Sequence, residues 1–201
     1  NCPAPVPAIG PIIADRRIAA VTLTGSPGAG ARVAALAGAA CKKSVLELGG
    51  SDAFIVLADA DIEAAVQAAV RARFTNCGQV CLAAKRLLVE SSIAEEFTQR
   101  FIAAATALRV GNPMDRTMQM GPMAREDLRE ELRRQISSSL AAGARLLAGG
   151  TDDARAGWFQ QPTVLGNVTR SMPVYAQETF GPVAALLQFR DADEAIDVAN
   201  D

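Results

Sequence analysis

The chain has 201 residues, which is enough for one large domain or for parts of two. Half of its residues are hydrophobic and 21% are charged, as in a typical globular protein, and its net charge of -2 gives no electrostatic reason to expect nucleic acid or an acidic membrane as a partner. Histidine is absent, which excludes a Ser-His-Asp triad and the commonest metal ligand, and no apolar run is long enough for a membrane span.

The pattern of residues 1–50 predicts a parallel βαβ unit. Residues 1–17 are rich in Pro and Gly and are expected to form a linker or loop. An apolar strand at 19–24, a small-residue helix at 27–40 and a second strand at 43–48 follow, and Gly49 and Gly50 end that strand.

The rest of the chain continues to alternate strands and helices, so the sequence predicts an α/β fold. Asp59 or Asp61 is a candidate cap for the first of these helices, and Ser91 and Ser92 are candidates for the second. The expected strands are 54–57, 87–90, 145–147 and 183–189, the expected helices are 61–75, 93–108, 125–142 and 191 onward, and the expected loops are 111–122 and 151–162.

The four cysteines are Cys2, Cys41, Cys77 and Cys81. A chain of this size needs no disulfides to hold its core, and its first residues do not have the pattern of a secretory signal, so we expect reduced thiols and a cytoplasmic location. Only Cys77 and Cys81 are close in sequence, which is too few ligands for zinc, so we expect no metal site.

A glycine-rich segment at 24–30 follows the first strand and opens the first helix. The N-terminus of a helix offers free N–H groups and a positive dipole end, and glycine allows a phosphate to approach the backbone. Gly25, Ser26 and Gly30 are therefore candidate phosphate ligands. A tight strand-to-helix turn without any ligand would have the same pattern.

Glu47 is an acid in an otherwise apolar strand end. If it is partly buried, its pKa is raised and it could act as a base near neutral pH. The alternative is a carboxylate that points to solvent at the strand edge.

Cys81 lies just beyond a turn at Gly78. If a helix begins at Cys81, the helix dipole would lower the pKa of its thiol and favour the thiolate. The alternative is a small buried hydrophobic residue, the commoner state of a free cysteine.

A last segment, 177–183, is a polar and aromatic turn before a strand, and its alternative interpretation is a capped loop with Phe180 in the core.

Together these four segments resemble the motifs of the aldehyde dehydrogenase superfamily, in the same order and with similar spacing. The matching segments are 24–30 for the phosphate loop, 46–50 for the general base, 74–81 for the cysteine and 178–182 for a cofactor contact. A closer resemblance is to the succinate-semialdehyde dehydrogenase-like branch, and it is carried by residues 44–52, 83–86 and 121–128.

The resemblance implies the end of a Rossmann-like NAD(P)-binding domain at 1–48, followed by most of a three-layer α/β/α catalytic domain at 49–201. It implies NAD(P)-dependent oxidation of an aldehyde, with succinate semialdehyde as a candidate. Cys81 would attack the aldehyde to give a thiohemiacetal and then a thioester, its backbone N–H would help hold the oxyanion, and Glu47 would activate the hydrolytic water. Cys77 is expected only to pack. The implied cofactor contacts are Gly25, Ser26, Gly30, Leu48, Gly49, Glu178 and Phe180.

Members of the family are at least twice as long, so the resemblance also implies a partial chain, truncated in both domains. We expect NAD binding by this chain alone to be weak, because the upstream half of the cofactor site is not matched. The alternative function is a catalytically incompetent fragment that only folds or assembles with other chains, and a thiol peroxidase or acyl-transfer enzyme is a third class. We expect a small-molecule substrate, a homo-oligomer, and neither nucleic acid nor membrane as partner.

Overall fold

A computed structural model of the chain describes residues 3–151 and 155–201. The chain divides into two compact units, residues 1–50 and residues 51–201, and each is described by itself. Residues 152–154 of the predicted loop at 151–162, and Cys2, lie outside the described residues.

The first unit contains the predicted strand–helix–strand motif. Strands β1 (Ala20–Thr24) and β2 (Lys43–Glu47) pair in parallel, and helix α2 (Pro27–Ala39) connects them. The Ser26 side chain caps α2 by accepting a hydrogen bond from the Ala29 N–H at 3.3 Å, and Pro27 occupies the first helical turn, where its missing N–H costs nothing.

The prediction of a linker or loop at residues 1–17 was wrong for most of its length. A 3₁₀ turn at Val6–Ala8 leads into helix α1 (Ile9–Ala14). The prolines did not exclude a helix here, because Pro7 and Pro11 lie in the first turns of the 3₁₀ helix and of α1. A residue in a first turn has no helical partner for its backbone N–H, so proline loses no hydrogen bond there. The Lys42 ammonium then donates to the carbonyls of Ile13 and Asp15, both at 2.5 Å, and so holds the end of α1.

The second unit is built on a five-stranded sheet in the order β3-β4-β7-β6-β5, parallel except where β5 pairs antiparallel with β6. The strands are β3 (Asp52–Val56), β4 (Ala84–Glu90), β5 (Arg145–Ala148), β6 (Thr163–Gly166) and β7 (Val183–Phe189). The helices are α3 (Ile62–Phe74), α4 (Ala94–Thr106), α5 (Glu126–Ala141), α6 (Pro173–Ala176) and α7 (Ala192–Ala199). No helix among the described residues is long and apolar enough to cross a membrane.

Both faces of this sheet are covered. Alternate residues of β4 point to opposite faces: Leu87 belongs to the larger core with residues of α3 and α4, whereas Leu88 packs with Ala195 and Val198 of α7. Burial on both faces is typical of parallel strands and explains why β7, with the sequence VAALLQF, is an almost continuous apolar run. The predicted α/β class with three layers is confirmed.

Two elements of the second unit were missed by the sequence analysis, β6 and α6. Each has four residues, too few for hydrophobic periodicity to show. Asp61, not Asp59, caps α3, accepting from the Ala64 N–H at 3.0 Å. The predicted serine caps of α4 were wrong, because the Ser91 hydroxyl donates instead to the Phe189 carbonyl at 2.9 Å.

Candidate active site

A left-handed turn precedes Cys81. Asn76 and Cys77 have φ values of 52° and 57°, and Gly78 follows at +69°. Non-glycine residues in this region of the Ramachandran plot are uncommon and cost free energy, and they cluster at functional sites. The turn is closed by side-chain hydrogen bonds, from the Asn76 amide to the Gln79 carbonyl at 3.1 Å and from the Gln79 amide to the Asn76 carbonyl at 3.3 Å.

Cys81 lies between this turn and strand β4, and it is exposed. The conditional prediction of a helix beginning at Cys81 was wrong: residues 81–83 form a turn that leads into the strand at Ala84. The alternative of a buried thiol is contradicted too. Access to this thiol therefore comes from its position on a surface turn, without the help of a helix dipole.

Cys77 is in the opposite environment. Only 2% of its surface is exposed, and this burial raises the pKa of its thiol to about 12, although the nearby Arg73 guanidinium acts in the other direction. Cys77 is therefore a neutral, unreactive thiol at physiological pH.

Arg73, near the end of α3, is fully buried and joins the cysteine motif to the segment at 178–182. Its Nη2 donates to the carbonyls of Gly78 at 3.3 Å, Thr179 at 3.0 Å and Gly181. Burial lowers the pKa of Arg73 to about 10, so the group remains a cation at neutral pH. A buried cation that satisfies carbonyls of two loops fixes those loops against each other.

Lys85, the second residue of β4, makes a similar connection. Its fully buried ammonium donates to the carbonyls of Cys81 at 2.6 Å and Val80 at 3.1 Å, and it lies 3.5 Å from the Glu178 carboxylate. Burial lowers the pKa of Lys85, and the charge of Glu178 opposes that shift. One ammonium group therefore contacts both the Cys81 carbonyl and the Glu178 carboxylate, two of the predicted residues.

Glu178 keeps part of its carboxylate accessible, with 22% of its side chain exposed. Its backbone carbonyl accepts from the Gln135 amide at 3.1 Å, which attaches the loop to α5. Phe180 is half-buried, so the alternative of a ring enclosed in the core does not hold. Both side chains are thus available to a ligand on the surface of the second unit.

The predicted residues of the first unit lie together at one end of its strand pair. The Gly25 N–H donates to the Glu47 carbonyl at 3.0 Å, so the glycine-rich segment and the end of β2 are directly connected. A Cβ added to Gly30 would lie 2.5 Å from a Leu48 methyl group, so α2 packs closely on the residue after β2. Glu47 is exposed, as in the interpretation of a side chain facing solvent.

The candidate residues of both units lie within the part of the chain that matches a known family. Residues 7–201 match the model of the aldehyde dehydrogenase family.

The chain belongs to the aldehyde dehydrogenase family.

Similar proteins support a narrower comparison. The chain is 58% identical over 190 residues to the succinate semialdehyde dehydrogenase [NAD(P)+] Sad of Escherichia coli strain K12, covering 94% of this chain and 41% of that protein. It is 47% identical to the succinate-semialdehyde dehydrogenase [NADP(+)] of Mycobacterium avium strain 104, covering 98% and 42%. The chain therefore spans about two fifths of the length of the curated relatives it matches.

Solved structures give the same family. Succinic semialdehyde dehydrogenase from Streptococcus pyogenes, in complex with NADP+, is 36% identical with a TM-score of 0.96, over 98% of this chain and 44% of that one. Betaine aldehyde dehydrogenase from Staphylococcus aureus, in complex with NAD+, is 32% identical with a TM-score of 0.91, over 96% and 39%. The resemblance seen in the sequence, to the family and to proteins of the succinate-semialdehyde branch, is confirmed.

Sequence reasoning missed Arg73 and Lys85. Each is a basic residue next to apolar residues of a helix end or a strand, and this was the available signal, since charges are rarely buried without partners. The sequence could not show that their partners are backbone carbonyls, because carbonyls are present at every residue.

Proposed function

We propose that this chain is the part of an NAD(P)-dependent aldehyde dehydrogenase that carries the nucleophile Cys81, and that its substrate is succinate semialdehyde. The observation that carries the proposal is an exposed thiol at the end of a strained turn, on a segment that two buried cations tie to the Glu178 loop. The two relatives at 58% and 47% identity support the choice of aldehyde.

Cys81 supplies the nucleophile and part of the oxyanion site. Its thiolate attacks the aldehyde carbon to give a thiohemiacetal, and the backbone N–H of Cys81 donates to the developing oxyanion. The Val80 carbonyl and the Cys81 N–H belong to one planar trans peptide and point in opposite directions. Because Lys85 holds that carbonyl at 3.1 Å, it fixes the direction of the N–H as well.

A bound NAD(P) would supply the acceptor for the hydride of the reacting carbon, and Cys81 would then hold the acyl group as a thioester. The residues present fit such a cofactor. The N-terminus of α2 suits its pyrophosphate, and a Cβ added to Gly28 would meet no atom within 4 Å, so this end of the helix is open. The N–H groups of Gly25 and Gly30 donate to the Glu47 and Ser26 carbonyls, so these two glycines and Ser26 are proposed to border the pyrophosphate and shape its site. Leu48 and Gly49, at the same end of the first unit, are proposed as further cofactor contacts.

Glu178 and Phe180 serve the cofactor in the second unit. The partly exposed Glu178 carboxylate would accept hydrogen bonds from the nicotinamide ribose while Lys85 holds it in place, and Phe180 would pack near the ring. Glu47 is proposed to take the proton from the water that hydrolyses the thioester. The cytoplasmic location and the homo-oligomer remain predictions.

Cofactor-free ester hydrolysis tests the nucleophile. With p-nitrophenyl acetate, we expect activity to be lost in Cys81→Ala and kept in Cys77→Ala, because only the first thiol is exposed; Cys41→Ala, which removes another exposed thiol, is the matched control. Equal hydrolysis by the wild type and Cys81→Ala would contradict the proposal.

A second assay measures the formation of reduced nicotinamide from succinate semialdehyde with NAD or NADP. We expect it to depend on Cys81 in the same way. Ester cleavage without nicotinamide reduction would favour the alternative, a fragment that cannot complete the oxidation.

A further inference from the structure

A groove of about 560 Å³ runs beside Cys81 in the second unit. One wall is a face of α3, where Ala64, Ala68 and Ala72 are spaced four residues apart. The other wall includes Val80 and Leu82, the two neighbours of Cys81. The groove thus lies against both neighbours of Cys81, and its walls are largely aliphatic.

Arg71 is the one charged side chain among the described residues that line this groove. It is exposed, and no acidic partner is found for it in the part of the chain that the structure describes. The nearest acid on α3 is already engaged: Glu63 accepts from the Gln67 amide at 3.1 Å and from Arg100 at 3.4 Å. Arg71 therefore offers a positive charge without an acidic partner to a groove whose other lining residues are uncharged.

A second groove, of about 400 Å³, also reaches Arg71, but none of its lining residues adjoins Cys81. In the groove beside Val80 and Leu82, the Thr75 hydroxyl donates to the Arg71 carbonyl at 2.6 Å, so the polar end of Thr75 is used by the helix. The Arg71 guanidinium is thus the group in this groove best suited to bind an anionic part of a ligand.

We propose that Arg71 binds the carboxylate at the far end of the aldehyde substrate and makes this groove selective for semialdehydes that carry a terminal carboxylate. The inference rests on the proposed function and adds the residue that reads the substrate's charge. A guanidinium can hold a carboxylate through two parallel hydrogen bonds, and the aliphatic walls would contact the methylene groups between the carboxylate and the reacting carbon.

A matched pair of thiol-directed reagents tests this without cofactor. 5-Chloro-4-oxopentanoate has two methylene groups between its carboxylate and its ketone, as succinate semialdehyde has between its carboxylate and its aldehyde. 1-Chloropentan-2-one has a methyl group in place of the carboxylate. With either reagent the Cys81 thiolate displaces chloride and forms a thioether, and the ratio of the two rates at Cys81 measures selectivity for the charge.

We expect the wild-type chain to favour the carboxylate reagent at Cys81 and Arg71→Ala to lower the rate ratio by roughly tenfold to a hundredfold, the range for a hydrogen bond to a charged group. Arg71→Lys should keep part of the preference. Arg116→Ala removes an exposed arginine elsewhere in the second unit and should leave the ratio unchanged. The exposed Cys41 of the same chain serves as the internal reference.

An equal ratio in the wild type and in Arg71→Ala would overturn the role of Arg71. If the neutral ketone still labels Cys81 faster than Cys41, the proposed nucleophile stands while the carboxylate site fails. If neither reagent labels Cys81 faster than Cys41, the nucleophile itself is contradicted.

Discussion

Among single residues, Lys85 has the most direct influence on the reactive turn. Its ammonium is within hydrogen-bonding distance of the Val80 and Cys81 carbonyls and lies 3.5 Å from the Glu178 carboxylate. The sequence could identify Cys81 and Glu178 from their motifs. It could not identify the cation between them, since that role depends on which carbonyls the folded chain places around the side chain.

Replacing Lys85 by Met keeps the length of the side chain and removes its three donors. We expect Lys85→Met to slow ester hydrolysis at Cys81 at least tenfold, because the Cys81 N–H loses its fixed direction, and to destabilise the fold by about 1–3 kcal/mol, because buried carbonyls lose a donor. Lys43→Met, at an exposed position in β2, is the control. Rates equal to those of the wild type in a folded Lys85→Met would contradict the positioning role.

The raised pKa of the buried Cys77 thiol predicts that the stability of the fold depends on pH. Its pKa is raised in the folded state from 9.0 to about 12, so the folded chain keeps this proton while the unfolded chain loses it. The stability is therefore fully present below pH 9 and is lost as the pH rises from 9 towards 12.

Between pH 8 and pH 10, the wild type should lose about 1.4 kcal/mol more of its unfolding free energy than Cys77→Ala does. Urea unfolding at the two pH values measures this difference. Cys41→Ala should behave as the wild type, because that thiol is exposed. Parallel losses in the wild type and Cys77→Ala would show that the Cys77 thiol titrates alike in both states.

Among the elements, those with strong periodicity were predicted to within a few residues, as for α3 and β7. A turn at Gly78 was expected, but its left-handed start at 76–77 was not, because the preference of Asn for positive φ is weak and Cys77 carries no local signal for it. Their conformation is imposed by packing: the turn is pressed against Gly181 and held by Arg73. Close tertiary contact overrides the local preference for negative φ in this turn, and the reactive thiol of Cys81 follows the turn directly.

Gly78 shows how tight that contact is. A Cβ at this position would lie 2.3 Å from the Gly181 carbonyl oxygen, a backbone atom that cannot easily move. Gly143 also has a positive φ, +106°, but a Cβ there would meet nothing within 4 Å.

We therefore expect Gly78→Ala to destabilise the chain by clearly more than Gly143→Ala, whose cost is backbone strain of about 1–3 kcal/mol, and to reduce ester hydrolysis as well. Urea unfolding of both variants isolates the effect of the contact. A loss in Gly78→Ala equal to or smaller than that in Gly143→Ala would show that the turn and the Gly181 loop are not closely packed.

At the scale of the whole molecule, four short motifs were enough to predict the family, because their order and spacing reflect one chain topology, and the alternation of strands and helices predicted the α/β fold. What they could not provide is the way in which the cysteine and Glu178 segments, about a hundred residues apart, are joined in the second unit. That connection depends on Arg73 and Lys85, whose burial follows from the parallel packing of β4 with β7 and of α3 on the sheet.

The central claim is that Cys81 is the nucleophile, and acyl trapping tests it most directly. The chain is mixed with p-nitrophenyl acetate, quenched in acid during turnover and digested with trypsin. Peptide 74–85 then carries Cys77 and Cys81, and peptide 33–42 carries Cys41. Fragmentation in the mass spectrometer assigns the acetyl group to a residue. We predict a thioester on Cys81 alone, while an acetyl group on Cys77, or one distributed equally between Cys41 and Cys81, would contradict the account.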